Sequence, residues 1–176
     1  MSDKALVCLL MGSDSDLVTM AEACKELDRF EVPYEIHVSS AHRTPHRTIE
    51  LVSKAEAKGV KVFICGAGAA AHLAGVVAAH TTCPVIGVPM PTLHLAGADS
   101  LYSTVQMPQG IPVATTAIGK AGAGNAGILA VQILAVADKG LAAKLKKFKQ
   151  DLAAKVEKKD AALQKKGYAK YLEELE

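Results

Sequence analysis

The amino-acid sequence contains no tryptophan, and aromatic residues make up only 4% of its 176 positions. Proteins that hold single-stranded nucleic acid stack the bases on aromatic side chains beside a basic surface. Here 20 basic residues are nearly balanced by 18 acidic ones, and no basic patch with interleaved aromatics occurs. We therefore expect no nucleic-acid partner.

Cysteine is also scarce, and its positions are far apart in the sequence. No pair of cysteines has the short spacing of a zinc knuckle or a redox motif, and no set of cysteines and histidines has the spacing of metal ligands. We therefore expect no metal site. Thiols within apolar runs are typical of free, mostly buried cysteines in a reducing cytoplasm. The cysteines are Cys8, Cys24, Cys65 and Cys83.

Long apolar runs are missing as well. No uninterrupted stretch reaches the roughly 18 residues that a membrane span needs, so we expect no membrane partner. The segment from Met1 to Lys4 runs directly into the apolar segment from Ala5 to Met11, which is followed by glycine and acids. This arrangement does not fit a signal peptide, and we expect a cytoplasmic protein.

Three widespread motifs do not occur either. The dinucleotide-binding fingerprint needs spaced glycines, and the P-loop needs a Gly-Lys-Ser/Thr sequence, neither of which this chain has. The Gly-x-Ser-x-Gly elbow of many Ser-His-Asp hydrolases is also missing. A P-loop enzyme and a serine hydrolase are therefore disfavoured.

The sequence does contain a regular alternation of short apolar runs and segments of helical periodicity. Strands joined by helical crossovers lie parallel, and the helices then cover both faces of the sheet. We predict an α/β domain over residues 1–138, built in three layers around a parallel sheet. Residues 139–176 are predicted to form a C-terminal helical extension, broken at Gly167, that packs on the body or on a neighbouring subunit. The predicted strands are Ala5 to Met11, Tyr34 to Ser39, Val60 to Cys65, Pro84 to Val88 and Val113 to Ile118.

Three of the predicted helices have a recognisable end or a recognisable surface. Pro45 can open a helix that runs to about Lys58 and is followed by Gly59 as its C-terminal cap. Asp99 is predicted to cap a short helix. The segment from Gly122 to Ala137 is apolar around most of its circumference, so a partner subunit is expected to cover it.

Three polar or glycine-rich turns are predicted to meet at one edge of the sheet. Right-handed crossovers bring the turns that follow parallel strands to the same edge. In such sheets ligands bind at that edge, near the point where the strand order reverses. The turns are Gly12 to Asp16, Ser39 to Pro45 and Gly66 to Gly75.

The first turn has the sequence Gly12-Ser13-Asp14-Ser15-Asp16 and precedes a helix. Backbone amides and serine hydroxyls at a helix N-terminus favour an anion such as phosphate. The carboxylates would repel a phosphate, and Asp16 is better suited to accept hydrogen bonds from sugar hydroxyls. The alternative is that these residues only cap the helix, as Ser and Asp commonly do.

The second turn places His42 beside Arg43. An arginine can bind phosphate with two hydrogen bonds, and a histidine titrates near neutrality, as a general acid or base must. Alternatively, both are ordinary polar residues of a surface loop. His72, after the glycine-rich turn, is predicted to be structural and to lie inside its helix, while His94 is left open. The other histidines are interpreted as structural or exposed, namely His37, His46 and His80.

Together, several segments resemble the PurE family, class I, the N5-carboxyaminoimidazole ribonucleotide mutases of de novo purine synthesis. They lie between roughly residues 5 and 138 in the family's order and spacing, and the combination is far more specific than any single segment. The matching segments are Met11-Gly12-Ser13-Asp14-Ser15-Asp16, Ser40-Ala41-His42-Arg43-Thr44-Pro45, Gly66-Ala67-Gly68-Ala69-Ala70-Ala71-His72-Leu73, Pro84-Val85-Ile86-Gly87-Val88-Pro89, Asp99-Ser100-Leu101, Val105-Gln106-Met107-Pro108 and Ala117-Ile118-Gly119-Lys120-Ala121-Gly122 with Asn125-Ala126.

This resemblance implies a flavodoxin-like (Rossmann-like) fold and an isomerase that moves a carboxylate from the exocyclic nitrogen of an aminoimidazole ribonucleotide to its ring carbon. It implies no metal and no organic cofactor, and a homo-octamer with active sites between subunits. His42 is implied as the catalytic acid or base. The implied substrate-binding residues are Gly12, Ser13, Ser15, Asp16, Ser40, Arg43, Gly68, Ala69 and His72.

Two alternatives stay open at this point. The class II enzymes of the family carboxylate aminoimidazole ribonucleotide directly with carbon dioxide. Arg43 and the run Ala69-Ala70-Ala71-His72 favour class I, whereas the stretch from Met90 to Gly97 departs from the usual class I pattern. A nucleotide-phosphate sensor without catalysis would use the same anion-binding edge and would not need His42.

Overall fold

The computed structural model describes residues 4–175 and contains one five-stranded sheet in that range. The strands are β1 (Val7–Met11), β2 (Tyr34–Val38), β3 (Val62–Ala67), β4 (Val85–Pro89) and β5 (Ala114–Thr115). The helices are α1 (Leu17–Arg29), α2 (Pro45–Lys58), α3 (Leu73–Ala78), α4 (Ala98–Val105), α5 (Lys120–Ala135), α6 (Lys139–Lys166) and α7 (Tyr168–Glu173). All neighbouring strands are parallel, which confirms the predicted α/β class.

The strand order is β2-β1-β3-β4-β5, the order of flavodoxin-like sheets. The chain moves outward from β1 to β2 and then crosses back to β3, so the order reverses between β1 and β3. Met11 pairs with Gly66 at this point, and the Gly12 amide donates a hydrogen bond to the Gly66 carbonyl at 3.1 Å. The turns after β1 and β3 therefore start side by side.

The core lies on both faces of the sheet because successive side chains of a strand point to opposite faces. On one face Cys8 and Phe63 pack with Val52 of α2 and with residues of α3. On the other face α1 approaches β3 closely, since a Cβ added at Gly66 would lie 2.5 Å from Met20 Sδ. This gives the three layers that the sequence predicts.

Helix α2 begins at Pro45 and ends at Lys58, as predicted, and Gly59 follows it with a left-handed φ of 105°. Its buried residues are Thr48, Val52 and Ala55. The hydroxyl of the fully buried Thr48 is satisfied by the buried hydroxyl of Ser39, which lies 2.8 Å away. This contact ties the end of β2 to the first turns of α2.

The prediction that Asp99 caps a helix is wrong. Helix α4 begins one residue earlier, after Gly97 in the left-handed conformation (φ 91°), and no side chain caps it. The Asp99 carboxylate instead accepts a hydrogen bond from the Thr92 hydroxyl at 2.7 Å. The glycine provides the backbone geometry at the start of this helix, and the aspartate fixes the preceding loop.

Two further local predictions differ from the structure. Strand β5 has only the two residues Ala114 and Thr115, which pair with Ile86 and Gly87 of β4, whereas the predicted strand ran from Val113 to Ile118. His72 does not lie inside a helix, since it occupies the position just before the first residue of α3. Its side chain is therefore free to turn toward the carboxyl edge of the sheet.

The described chain divides into two compact units, one ending at Leu134 and the other beginning at Ala135. In the second unit the Asp138 carboxylate caps α6 by accepting hydrogen bonds from two backbone amides at 2.8 and 3.0 Å. The predicted break at Gly167 is confirmed, since α6 ends there and α7 follows. The predicted boundary after residue 138 and the packing of the extension stay predictions. Within residues 4–175, none of the helices combines the length and the apolarity needed to cross a bilayer.

Candidate active site

The turn after β1 forms a short 3-10 helix over Asp14–Asp16. The Ser13 amide donates to Asp16 Oδ2 at 3.1 Å, and the Ser13 hydroxyl accepts from the Ser15 amide at 3.4 Å. This reciprocal arrangement is a capping box. The capping role weighed from the sequence is thus present, yet it uses only one carboxylate oxygen of Asp16 and leaves the other available to a ligand.

The turn after β2 is held by its own side chains. The Thr44 hydroxyl accepts from the Ser40 amide at 3.0 Å, and the Ser40 hydroxyl accepts from the Arg43 amide at 3.2 Å. Arg43 Nη2 donates to the Gly12 carbonyl at 3.0 Å. Arg43 Nε also donates to the Ser40 hydroxyl at 3.5 Å, so the guanidinium is fixed between the first and the second turn.

The turn after β3 is fixed from outside by α4. The amides of Ala69 and Ala71 donate to the hydroxyls of Ser100 and Ser103 at 2.9 and 3.0 Å. Ala69 has a φ of 56°, in the left-handed region that glycine adopts more easily. A left-handed alanine costs about 1–2 kcal/mol, and the serine hydrogen bonds offset this cost.

Two histidines meet at the centre of the three turns. His42 Nε2 lies 2.8 Å from His72 Nδ1, and the rings are edge-on at an interplanar angle of 84°. Two N–H groups cannot face each other at this distance, so one of the two nitrogens carries a proton and the other accepts it. The pair is therefore arranged to hold a single proton between its rings.

The three turns enclose a cavity of about 370 Å³, a size that suits a small ligand. Eight of the ten site residues predicted from the sequence line it. The other two do not, since the Ser15 hydroxyl bonds to Ser13 and Ala69 shapes the backbone of its turn. The lining residues among the predicted ones are Gly12, Ser13, Asp16, Ser40, His42, Arg43, Gly68 and His72.

The environment of Asp16 in this cavity disfavours the charged form of its carboxyl group. Burial raises the pKa of its carboxyl group, the hydrogen bond from the Ser13 amide opposes that rise, and the charge of Asp14 adds to it. The folded protein thus holds the Asp16 carboxylate at some cost in stability. Such perturbed groups in clefts are typical of functional sites.

One cation beside the cavity was not predicted from the sequence. A second cavity of about 360 Å³ shares Gly12, Ser13, Ser40 and Arg43 with the first and adds Arg47. Arg47 follows Arg43 by four positions, which is about one helical turn. This i, i+4 spacing was the available signal, but only the arginine directly beside His42 was taken as a phosphate ligand.

The chain is similar to proteins of known families over nearly its whole length. A family model described as AIRC, AIR carboxylase, matches residues 6–155. A curated relative from Pyrococcus horikoshii, named N5-carboxyaminoimidazole ribonucleotide mutase, is 51% identical over 173 residues, which cover 98% of this chain and 97% of the relative. A protein of the same name from Bacillus subtilis is 59% identical over 140 residues, covering 80% of this chain and 86% of the relative.

The fold has a counterpart among solved structures. The crystal structure of Treponema denticola PurE superimposes with a TM-score of 0.83 at 33% sequence identity. The match covers 90% of this chain and 98% of the other. Sequence and fold therefore point to the same group of proteins.

Proposed function

The chain belongs to the AIR carboxylase family, and we propose how the residues of its cavity carry out the reaction for which its curated relatives are named. It is an isomerase of purine biosynthesis that acts on N5-carboxyaminoimidazole ribonucleotide. The carboxylate moves from the exocyclic nitrogen to ring carbon 4, which gives 4-carboxy-5-aminoimidazole ribonucleotide. A sensor without catalysis, the alternative from the sequence, does not fit relatives that are named as mutases.

The contact between His42 and His72 carries the proposed mechanism. Breaking the N–CO₂ bond requires a proton on the exocyclic nitrogen, and recapture of carbon dioxide at carbon 4 releases the proton held there. The reaction is therefore balanced by moving one proton from carbon to nitrogen. A histidine that exchanges a single proton with a second ring can give the first and take back the second, and we assign this role to His42.

The small residues of the third turn suit the confinement of carbon dioxide. Gly68 and Ala70 line the cavity next to His72 and leave room beside the imidazole of a bound ribonucleotide. Carbon dioxide held there meets carbon 4 at a high effective concentration instead of diffusing away. The acceleration then comes from proximity and needs no chemical activation of the gas.

The charged residues of the cavities suit the phosphate and the ribose of the substrate. Arg43, with Ser13 and Ser40 beside it and Arg47 one helical turn further, supports phosphate binding where the two cavities join. The free oxygen of the Asp16 carboxylate is suited to the ribose hydroxyls. Phosphate and sugar would then hold the base against His42.

The choice of substrate tests the proposed function directly. Purified protein is expected to convert N5-carboxyaminoimidazole ribonucleotide without added metal or cofactor. It is expected to be far slower with aminoimidazole ribonucleotide and dissolved carbon dioxide at the concentrations of a closed assay. Consumption of the second substrate alone would assign the chain to direct carboxylation and contradict the proposal.

Substitution of Asp16 by Asn separates binding from stability. We expect Asp16→Asn to raise KM by roughly 10- to 150-fold, because a hydrogen bond to a charged acceptor contributes about 1.5–3 kcal/mol. We expect the variant to be at least as stable as the wild type at pH 7, since the amide oxygen can still accept from the Ser13 amide without burying a charge. Steady-state kinetics and urea denaturation measure the two effects.

The Asp16 carboxyl group also predicts how stability and KM change with pH. The pKa of Asp16 is higher in the folded protein than in the unfolded chain, so its protonation stabilises the folded protein at low pH. This stabilisation is lost as the pH rises through the pKa that Asp16 has in the folded protein. Ribose binding needs the carboxylate, so KM of the wild type should rise as the pH falls through that value. Asp14→Asn is the matched control and should not raise KM, because Asp14 lies at the second cavity, where its negative charge opposes phosphate binding and does not support it. An unchanged KM in Asp16→Asn would remove Asp16 from the site.

We also propose that the chain assembles with copies of itself and works in the cytoplasm. Several large apolar side chains are exposed, among them Leu93 in the loop before α4 at 93% and Tyr102 of α4 at 63%. Exposed apolar patches of this kind favour coverage by another protein surface. We assign this surface to a second copy within a homo-octamer, which sedimentation velocity can test. The four cysteines are free, which suits the reducing cytoplasm.

A further inference from the structure

Away from the cavity, three side chains with metal-binding atoms meet at the edge of the sheet. Cys8 of β1 lies opposite Glu35 of β2, and His37 follows two residues later on the same face of β2. The Cys8 sulfur, a Glu35 carboxylate oxygen and a His37 ring nitrogen all lie within 4.8 Å of one another. Linear spacing did not reveal this set, because strand pairing creates it.

The His37 ring has a polar atom that the protein does not use. His37 Nε2 is buried and, among the described residues, has no hydrogen-bond partner. It lies 3.5 Å from Glu35 Oε1, beyond a good hydrogen bond but facing the carboxylate. Buried polar atoms without a partner are rare, and a bound ion can supply the partner that this nitrogen lacks.

We propose that Cys8 Sγ, Glu35 Oε1 and His37 Nε2 bind Zn²⁺, with a water molecule as the fourth ligand of a tetrahedral site. Thiolate, carboxylate and imidazole are the ligands that Zn²⁺ takes in proteins, at about 2.0–2.3 Å. Tetrahedral coordination with these bond lengths holds the ligand atoms roughly 3.3–3.8 Å apart. The ligand atoms lie up to 4.8 Å apart, so they need to approach one another by up to about 1.5 Å, which side-chain rotation can supply.

The charges of the cluster match a divalent cation. A thiolate and a carboxylate together neutralise Zn²⁺, and the Cys8 thiol proton is released to solvent when the ion binds. The other carboxylate oxygen of Glu35, Oε2, lies 3.7 Å from Lys58 Nζ, which orients the carboxylate and leaves Oε1 directed at His37. The lysine side chain is 66% exposed, so solvent screens its repulsion of the ion.

The position of the cluster indicates a structural ion. None of the three residues lines the active-site cavity. The side chains of Glu35 and His37 are 22% and 28% exposed, so an ion can enter from solvent at the edge of the sheet. Zinc there would fasten the edge strand β2 to β1, and β2 leads directly into the turn that carries His42.

Metal titration of the full-length, chelator-treated protein tests the proposal. We expect one Zn²⁺ per chain by calorimetry and, with Co²⁺ as the probe, an intense thiolate-to-cobalt absorption band. Cys8→Ser should abolish the band, and Cys83→Ser, which changes a half-buried cysteine elsewhere, should keep it. His37→Gln should weaken Zn²⁺ binding by at least about tenfold, whereas His80→Gln, at an exposed histidine, should not.

Thermal unfolding gives a second readout that does not depend on the buried cysteine. Zn²⁺ should raise Tm of the wild type and of His80→Gln by similar amounts, and should raise Tm of His37→Gln by clearly less at the same Zn²⁺ concentration. The proposal is overturned if no saturable Zn²⁺ binding occurs or if the cobalt spectrum has no thiolate band. It is equally overturned if the band survives in Cys8→Ser, or if His37→Gln binds as tightly as the wild type. Binding without a thiolate band would point instead to the pair of His42 and His72.

Discussion

Replacing His42 with asparagine is expected to lower kcat by roughly a thousandfold or more while changing substrate affinity by less than about tenfold. A positioned acid or base contributes about 10²- to 10⁴-fold to a rate, and here the same group serves two proton transfers. Asparagine is smaller than histidine and its amide ends short of the position of His42 Nε2, so the variant loses the contact with His72 Nδ1 without introducing a charge or a clash in the cavity. Turnover is measured under saturating substrate, and affinity by calorimetry with the carboxylated product.

A matched control is His46→Asn, which changes an exposed histidine in the first turn of α2. It should leave both kcat and affinity close to the wild type. Near-normal turnover in His42→Asn would show that another group moves the proton. A parallel loss of product binding would instead mean that His42 holds the ligand and that its chemical role is unproven.

The largest expected effect on stability comes from a single methyl group at Gly122. A Cβ placed on Gly122 would lie 1.5 Å from the carbonyl oxygen of Ala117 and 2.5 Å from its carbonyl carbon. Backbone atoms cannot move aside as a flexible side chain can, so the start of α5 would have to shift. We expect Gly122→Ala to lower the free energy of unfolding by at least about 3 kcal/mol, a large part of the roughly 5–15 kcal/mol that holds a domain folded.

Gly124→Ala is the control for this prediction, because it adds the same methyl group to the same helix. Nothing lies within 4 Å of a Cβ at Gly124, so the substitution should stabilise α5 by roughly 0.5–1 kcal/mol through helix propensity. Denaturant unfolding at matched protein concentration compares the two variants. Equal stability of both would mean that the chain relieves the clash at Ala117 without cost.

Much of the fold was predictable because the strands of a parallel sheet carry continuous apolar runs. β1 and β4 are buried at every position, and such runs stand out in the sequence. Helix α2 was predicted to the residue, since Pro45 and Gly59 mark its two ends. The failures have tertiary causes. Asp99 accepts a hydrogen bond from a loop residue seven positions away instead of capping its helix. The length of β5 is set by its pairing with β4, which covers only two residues.

Most of the residues that line the cavity could be predicted from the sequence, whereas the contacts between them could not. Turns at one sheet edge follow from chirality, so the convergence of Gly12, His42 and Gly68 could be expected. The pairing of His42 with His72 depends on ring orientation and on where α3 begins, which no local pattern encodes. Arg47 was overlooked for a similar reason, since its relevance depends on the path of α2 beside the first turn.

The hydrogen bonds that Ala69 and Ala71 make with α4 also set an order of events during synthesis. The two serines that accept these bonds come 31 and 32 residues later in the chain. A ribosome that has released β1, β2 and β3 has released most of the cavity residues, yet the wall beside His72 still lacks the hydroxyls that hold it in its left-handed turn. We therefore expect the third turn to adopt its folded conformation only after α4 has emerged and docked.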